Sequence, residues 1–141
     1  ATLAGVDTYI QDGNAFFNAA LLDQFVFNGG TLIQLPWDFS HHTYSTALTV
    51  IGARNSVDWG DNGSDGITTL AAGDWLLKNT SAPGSVNTGH ELGNSFKAGA
   101  TQVLKWSDGT AMLGYKEYGQ GMVVGFNLHL IQNNTNSLNA Q

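Results

Sequence analysis

GVDTYIQDGNAFFNAALLDQFVFNGGTLIQL, residues 5–35, is the stretch of sequence that decides the fold. Its first part, Val6 to Ile10, is β-branched and aromatic, which favours a buried strand. From Phe16 to Val26 the apolar residues then recur at spacings of three and four, which predicts an amphipathic helix.

The predicted helix has a start signal and a stop signal. Asn14 is the expected N-cap, and Gly29–Gly30 is expected to end the helix, because glycine adopts the left-handed conformation without a Cβ penalty. Thr31–Leu35 follows as a second strand, which Pro36 ends. Two short strands joined by a helix predict a parallel pair with a right-handed crossover. A helix packed on an antiparallel sheet is the alternative.

Composition bounds the class of protein. The chain has 141 residues, a net charge of −6, 11% charged residues and no cysteine. This length predicts one domain, and the lack of thiols excludes a disulfide framework, a thiol nucleophile and a thiolate metal site. The five basic residues are scattered, which argues against nucleic-acid binding. No apolar run approaches the ~20 residues that span a bilayer. The low charge favours a secreted or cell-surface protein.

The last third of the chain predicts antiparallel strands. Thr101–Trp106 is a predicted strand, Ser107–Thr110 a turn and Ala111–Tyr118 the return strand. A second tight turn then leads into an apolar strand, Met122–Leu128. These elements predict an antiparallel C-terminal hairpin.

The middle of the chain gives weaker signals. Trp37–Tyr44 is predicted as an aromatic and polar loop, and Ala47–Ile51 as a strand or a helical turn. Val57–Gly66 is predicted as a loop rich in Asp and Gly, and Asp74–Leu77 as one helical turn. Residues 79–90 form a long loop of the kind that is either functional or poorly ordered.

Two stretches together resemble the class I glutamine-amidotransferase-like fold. They are Gly5–Leu35 and Asp108–His129, the latter reading DGTAMLGYKEYGQGMVVGFNLH. The resemblance implies an α/β fold, a three-layer flavodoxin-like and mostly parallel sheet with an antiparallel C-terminal hairpin, in a single domain over residues 1–141. It also implies that a first strand before Ala1 and a last helix after Gln141 are missing, so that the chain is a fragment or its sheet is completed by another polypeptide.

The sequence departs from this family at the catalytic turn. Catalytic members carry a Gly-x-Cys-x-Gly elbow after the strand that corresponds to Thr31–Leu35, whereas residues 35–39 here read LPWDF. Because the nucleophile is absent, amidotransferase chemistry is excluded and a non-catalytic member is expected.

Ligands of open parallel sheets bind at the carboxyl ends of the strands. Three segments are expected there: the turn after the first strand, the segment after the second, and Asn127–His129. The candidate ligand-binding residues in the first two segments are Asp12, Trp37, Asp38, His41 and His42.

Asp38, His41 and His42 have two interpretations. Imidazole and carboxylate suit a metal site or the acid–base pair of a hydrolase. Alternatively they are hydrogen-bonded or solvated loop residues, since no HxH or HExxH spacing is present. A triad with Ser40 lacks the G-x-S-x-G motif.

Asp58, Asp61 and Asp65 are candidate calcium ligands. Residues 61–66 match part of the D-x-[DN]-x-[DN]-G pattern, but Ala72 stands where the bidentate Glu is expected. A plain Asp/Gly turn is the alternative.

Trp37 and Trp59 lie in polar loops and could stack on a carbohydrate, although aromatic residues in this number more often belong to the core.

The preferred functional prediction is a non-enzymatic exported domain that binds or self-assembles, forming a homo-oligomer or accepting a partner strand at an open sheet edge. The alternatives are a hydrolase or metal-dependent enzyme using Asp38, His41 or His42, and a carbohydrate-binding module.

Overall fold

The computed structural model describes residues 3–11, 18–52, 64–80, 82–87 and 89–129. Two α-helices, α1 (Ala19–Phe27) and α2 (Pro36–His41), and a 3-10 turn (Trp75–Leu77) lie in these residues. The strands are β1 (Thr8–Gln11), β2 (Thr31–Gln34), β3 (Ile51–Gly52), β4 (Ser64–Thr69), β5 (Ser85–Asn87), β6 (Ser95–Phe96), β7 (Thr101–Trp106), β8 (Ala111–Tyr118) and β9 (Gly121–Phe126).

Seven strands form one mixed sheet in the order β1-β2-β9-β8-β7-β4-β5, and β3 and β6 pair separately. β1 pairs parallel with β2, which pairs parallel with β9. The α/β class and the parallel β1–β2 pair are therefore confirmed. β8 and β9 form the antiparallel hairpin, and antiparallel pairing continues through β7 and β4 to β5.

The N-cap of helix α1 lies four residues later than the sequence predicts. Asn18 is the observed N-cap, and its Oδ1 accepts a hydrogen bond from Leu21 N at 3.0 Å. The predicted cap, Asn14, lies outside the described residues. The helix ends at the predicted glycine pair, where Gly29 has a φ of 108°.

The core lies on both sides of the sheet in two clusters. Leu22 and Val26 of α1 pack with Leu32 and Val123, which are register partners and so share one face. The second cluster surrounds Trp106 and is completed by Val103, Leu104, Met112 and Leu128. Each such buried side chain stabilises the fold by about 1.5–3 kcal/mol relative to exposure.

Two loop predictions were wrong. Residues predicted as a loop after Pro36 form α2, because Pro36 suits the first helical position and Asp38 accepts a hydrogen bond from Leu35 N. Residues 64–66, predicted as part of an Asp/Gly loop, belong to β4 because they pair with β5. The strand β5 itself lies within the predicted long loop.

The other middle elements agree with the sequence more closely. Asp74 caps the predicted turn at Trp75–Leu77, its Oδ1 accepting from Leu76 N at 2.9 Å. Within the described ranges, no helix has the length and apolar character needed to cross a membrane.

Candidate functional site

The carboxyl ends of β1, β2 and β9 meet at one edge of the sheet, where Gln11, Gln34 and Gly125 are in register. Gln11 and Gln34 are fully buried and, as register partners, lie on the same face. Within the described part of the chain, neither polar side-chain atom of Gln11 has a hydrogen-bond partner. Two buried carboxamides thus lie side by side where parallel sheets bind ligands.

Asp38 lies beside this edge on α2 and is fully buried. Its Oδ2 accepts a hydrogen bond from Leu35 N at 3.1 Å, and its Oδ1 lies 3.2 Å from His42 Nδ1. Both carboxylate oxygens therefore hold the local structure: one caps the helix and the other orients His42.

Tyr44 completes this group. Burial raises the pKa of the Tyr44 hydroxyl well above its ordinary value, and the nearby carboxylate of Asp38 raises it further. The side chain of Gln34 opposes this rise in the pKa without cancelling it. Tyr44 therefore stays protonated in the folded protein at neutral pH.

Trp37 and His129 connect α2 to the end of β9. The indole Nε1 donates to His129 Nε2 at 3.1 Å. His129 N in turn donates to Gly89 O at 2.9 Å, so that the segment before β6 is joined to the same edge.

Asn127 organises that segment. It is fully buried, and its Oδ1 accepts from Glu91 N at 2.9 Å. Its Nδ2 donates to Glu91 O at 2.9 Å and to Ala111 O at 3.0 Å. The buried Glu91 carboxylate accepts from Asn94 Nδ2 at 3.0 Å. One carboxamide thus connects β8, β9 and the segment that contains Glu91.

His90 lies between the core and the surface. Its ring stacks on Trp106 with centroids 4.2 Å apart, and its Nε2 lies 3.4 Å from Asp108 Oδ2. Partial burial opposes ionisation of Asp108. Hydrogen bonds from the backbone and side chain of Thr110, and the contact with His90, outweigh this and lower the pKa of the Asp108 carboxyl.

The structure brings together only some of the sequence-predicted ligand-binding residues. Trp37, Asp38 and His42 lie on or next to α2, and Trp37 contacts His129. Asp12 and Trp59 lie outside the described residues. His41 ends α2, and its side chain is not among those described.

The calcium prediction is not tested by the structure. Asp58 and Asp61 lie outside the described residues, and only the backbone of Asp65 is described, in β4. Among the described ranges, no group of three or more His, Cys, Asp or Glu side chains could hold a metal ion.

The sequence analysis missed His90, Glu91, Asn94 and Asp108, which lie in segments without periodicity. The buried pair Gln11 and Gln34 had a signal: each is a polar residue at the end of an apolar strand. Chemically, the buried Asp38 and the partly buried His42 form an acid–base pair. One carboxylate oxygen accepts from Leu35 N at the start of α2, and the other orients the His42 imidazole.

No protein-family model matches the chain, and no curated protein does. The chain is similar in fold to the cytoplasmic protein STM1381 from Salmonella typhimurium LT2, with a TM-score of 0.70 and 15% identity over 89% of this chain and 61% of that one. It is similar to the cytoplasmic protein STM3548 from Salmonella typhimurium, with a TM-score of 0.67, 15% identity and the same coverages of 89% and 61%. A β-galactosidase from Rahnella sp. R3 has a TM-score of 0.58 and 16% identity over 88% of this chain and 19% of that one.

These similarities define a class of fold and no more. The chain spans about 61% of the length of the two Salmonella proteins and 19% of the galactosidase. Both Salmonella proteins are described as cytoplasmic, which contradicts the expectation of a secreted or cell-surface protein. That expectation was wrong because a low content of charged residues does not specify a compartment.

Proposed function

We propose that this chain is a non-catalytic association domain that binds a further strand at the open edge of its sheet. The observation that carries the proposal is the outward-facing backbone of β1. In this proposal the sheet is the flavodoxin-like layer of a glutamine-amidotransferase-like domain without a nucleophile.

The hydrogen bonds of β1 identify its open side. Asp7 O accepts from Thr31 N and Gln11 O accepts from Leu35 N, so these two residues face β2. Because successive residues of a strand face opposite neighbours, the N–H and C=O groups of Thr8 and Ile10 face away from β2. No other described strand pairs with β1.

Within the described residues, the open side of β1 lacks the usual protection of an edge strand. Its sequence, TYIQ, contains neither a charged residue nor proline. The Ile10 side chain is 56% exposed, and Val6 just before the strand is 39% exposed. Natural edge strands are commonly blocked by Lys, Pro or a bulge, so an uncharged edge with an exposed Ile is a template for strand addition.

One observation favours a domain without amidotransferase catalysis. The segment that corresponds to the nucleophile elbow reads LPWDF and forms the start of α2, without a cysteine.

Size-exclusion chromatography with light scattering tests the proposal. Thr8→Pro removes an outward N–H at the first residue of an edge strand, where proline is tolerated. Ser85→Pro is the matched control on the opposite edge. Gly84 O accepts from Ile67 N, so the backbone of Gly84 faces β4. The backbone N–H and C=O groups of the next residue, Ser85, therefore face away from β4. We expect wild type and Ser85→Pro to associate with increasing concentration and Thr8→Pro to remain monomeric. A monomeric wild type at every concentration would refute the proposal.

A hydrolase or metal-dependent enzyme is the second candidate, because His42 Nδ1 lies 3.2 Å from the buried Asp38 Oδ1. A hydrolase screen with wild type and His42→Ala tests it: activity in wild type that the variant loses would support this candidate. Carbohydrate stacking on Trp37 and Trp59, and calcium binding at Asp58, Asp61 and Asp65, stay predictions.

A further inference from the structure

We infer that the strand added to β1 is β1 of a second copy, paired antiparallel about a two-fold axis at Tyr9. This inference rests on the proposed function and identifies its partner. It depends on which residues of β1 face outward and on what surrounds them.

The outward-facing groups fix the register. Thr8 and Ile10 each present an N–H and a C=O, and an antiparallel strand exchanges both bonds between residues that face each other. Two copies satisfy all of these groups when Thr8 of one copy lies opposite Ile10 of the other. The backbone N–H and C=O groups of Tyr9 face β2 in its own sheet. In this register Tyr9 lies opposite Tyr9 of the second copy.

Charge is compatible with this register. Asp7 would lie opposite Gln11 of the second copy, so that no like charges face each other. A parallel, in-register pairing would place Asp7 beside Asp7.

The exposed apolar side chains favour β1 of the second copy, rather than its other edge strand β5, as the strand that pairs with β1. Ile10 is in register with Ile33, which is in register with Val124, so these side chains form one row on the same face. In the two-fold dimer, the two Ile10 side chains are diagonal neighbours and extend this row. By contrast, none of the exposed large apolar side chains of the described residues belongs to β5.

The pairing involves only four strand residues on each copy. Interfaces of this size lie at the low end of the range, below about 1,200 Å², and are typically transient. The dimer is therefore expected to dissociate on dilution, and a covalent trap is the appropriate probe.

Single-cysteine variants of this cysteine-free chain test the register. Thr8→Cys and Ile10→Cys are prepared separately, then oxidised mildly either alone or after mixing. Opposed residues have Cα atoms ~5.5 Å apart, which a disulfide can bridge. In a dimer of Thr8→Cys alone, the two introduced thiols would be offset by two positions, with Cα atoms about 9 Å apart, beyond the reach of a disulfide. We expect the mixture to give roughly tenfold more disulfide-linked dimer than either variant alone.

The controls separate this inference from the proposed function. Thr8→Cys mixed with Ser85→Cys reports a head-to-tail contact between β1 and β5. Light scattering that shows association, together with no excess of disulfide-linked dimer in the mixture of Thr8→Cys and Ile10→Cys, would overturn the two-fold pairing and leave the proposed function intact. A wild type that is monomeric would remove both. Amide exchange of wild type at high and low concentration is the second measurement, because pairing should protect Thr8 and Ile10.

Discussion

Asn127 illustrates how single buried side chains hold segments that are distant in sequence. Its carboxamide makes three hydrogen bonds, two to the backbone of Glu91 and one to Ala111 O. None of these partners could be found from local sequence, because they lie 36 and 16 residues away.

Asn127→Ala should lower the free energy of unfolding by about 3 kcal/mol, since buried backbone groups lose their partners. Urea unfolding measures the change. Asn28→Ala, at an exposed position after α1, is the control and should stay within about 0.5 kcal/mol of wild type. Equal effects of the two substitutions would contradict the structural role of Asn127.

Tyr44 predicts a dependence of stability on alkaline pH. Its pKa is raised by burial and by Asp38, so the folded state favours the protonated hydroxyl. The stability that the protonated Tyr44 contributes is fully present below about pH 10, the pKa of tyrosine in the unfolded chain. This stability is lost as the pH rises above that value. Between about pH 8 and about pH 11, wild type should therefore lose more stability than Tyr44→Phe. Identical losses in urea unfolding would show that Tyr44 ionises freely in the folded protein.

At the level of elements, the close contact between α1 and β9 depends on glycine. A Cβ on Gly121 would lie 2.2 Å from Val26 O and 2.3 Å from Gly30 O, and both of these are backbone atoms. Neither atom can move without displacing the end of α1 or the start of β2.

Gly121→Ala should therefore destabilise the protein by about 3 kcal/mol or more, through forced separation of α1 and β9. Gly73→Ala is a matched control, because its Cβ would meet nothing within 4 Å. We expect this control to be neutral or slightly stabilising, by up to about 1 kcal/mol. Thermal unfolding of the two variants makes the comparison. Similar melting temperatures would contradict the packing argument.

The sequence predicted the elements whose signals are local. The β1-α1-β2 unit and the β8–β9 hairpin follow from periodicity and turn residues, and both are observed. Helix α2 was missed because six residues are too few to show a period. The start of β4 was missed because Asp65 and Gly66 favour turns locally, and pairing with β5 overrides that preference.

The candidate site was predicted only in outline. The rule for parallel sheets placed Trp37, Asp38 and His129 at one edge, where the structure has them. It could not reveal Glu91 or His90, since their partners are set by tertiary packing.

For the whole molecule, the order of the strands predicts a gradient of local stability. β2, β9, β8 and β7 each have a neighbour on both sides, whereas β1 and β5 have one described neighbour each. Amides of the inner strands should exchange with solvent only on global unfolding. Amides of β5 should exchange through local opening, which has a lower free energy. Hydrogen exchange of dilute protein measures this gradient. Protection of β5 equal to that of β9 would contradict it.

The position of β9 has a consequence for synthesis on the ribosome. Residues 3–35 are translated early, but the strand that covers the inner side of β2 is Gly121–Phe126, near the end of the described chain. The β1–β2 pair must therefore wait until Gly121–Phe126 has emerged before the sheet can close on that side. A nascent chain stalled ahead of Gly121 would expose both edges of the β1–β2 pair, the open edge of β1 and the edge of β2 that β9 later covers, to chaperones.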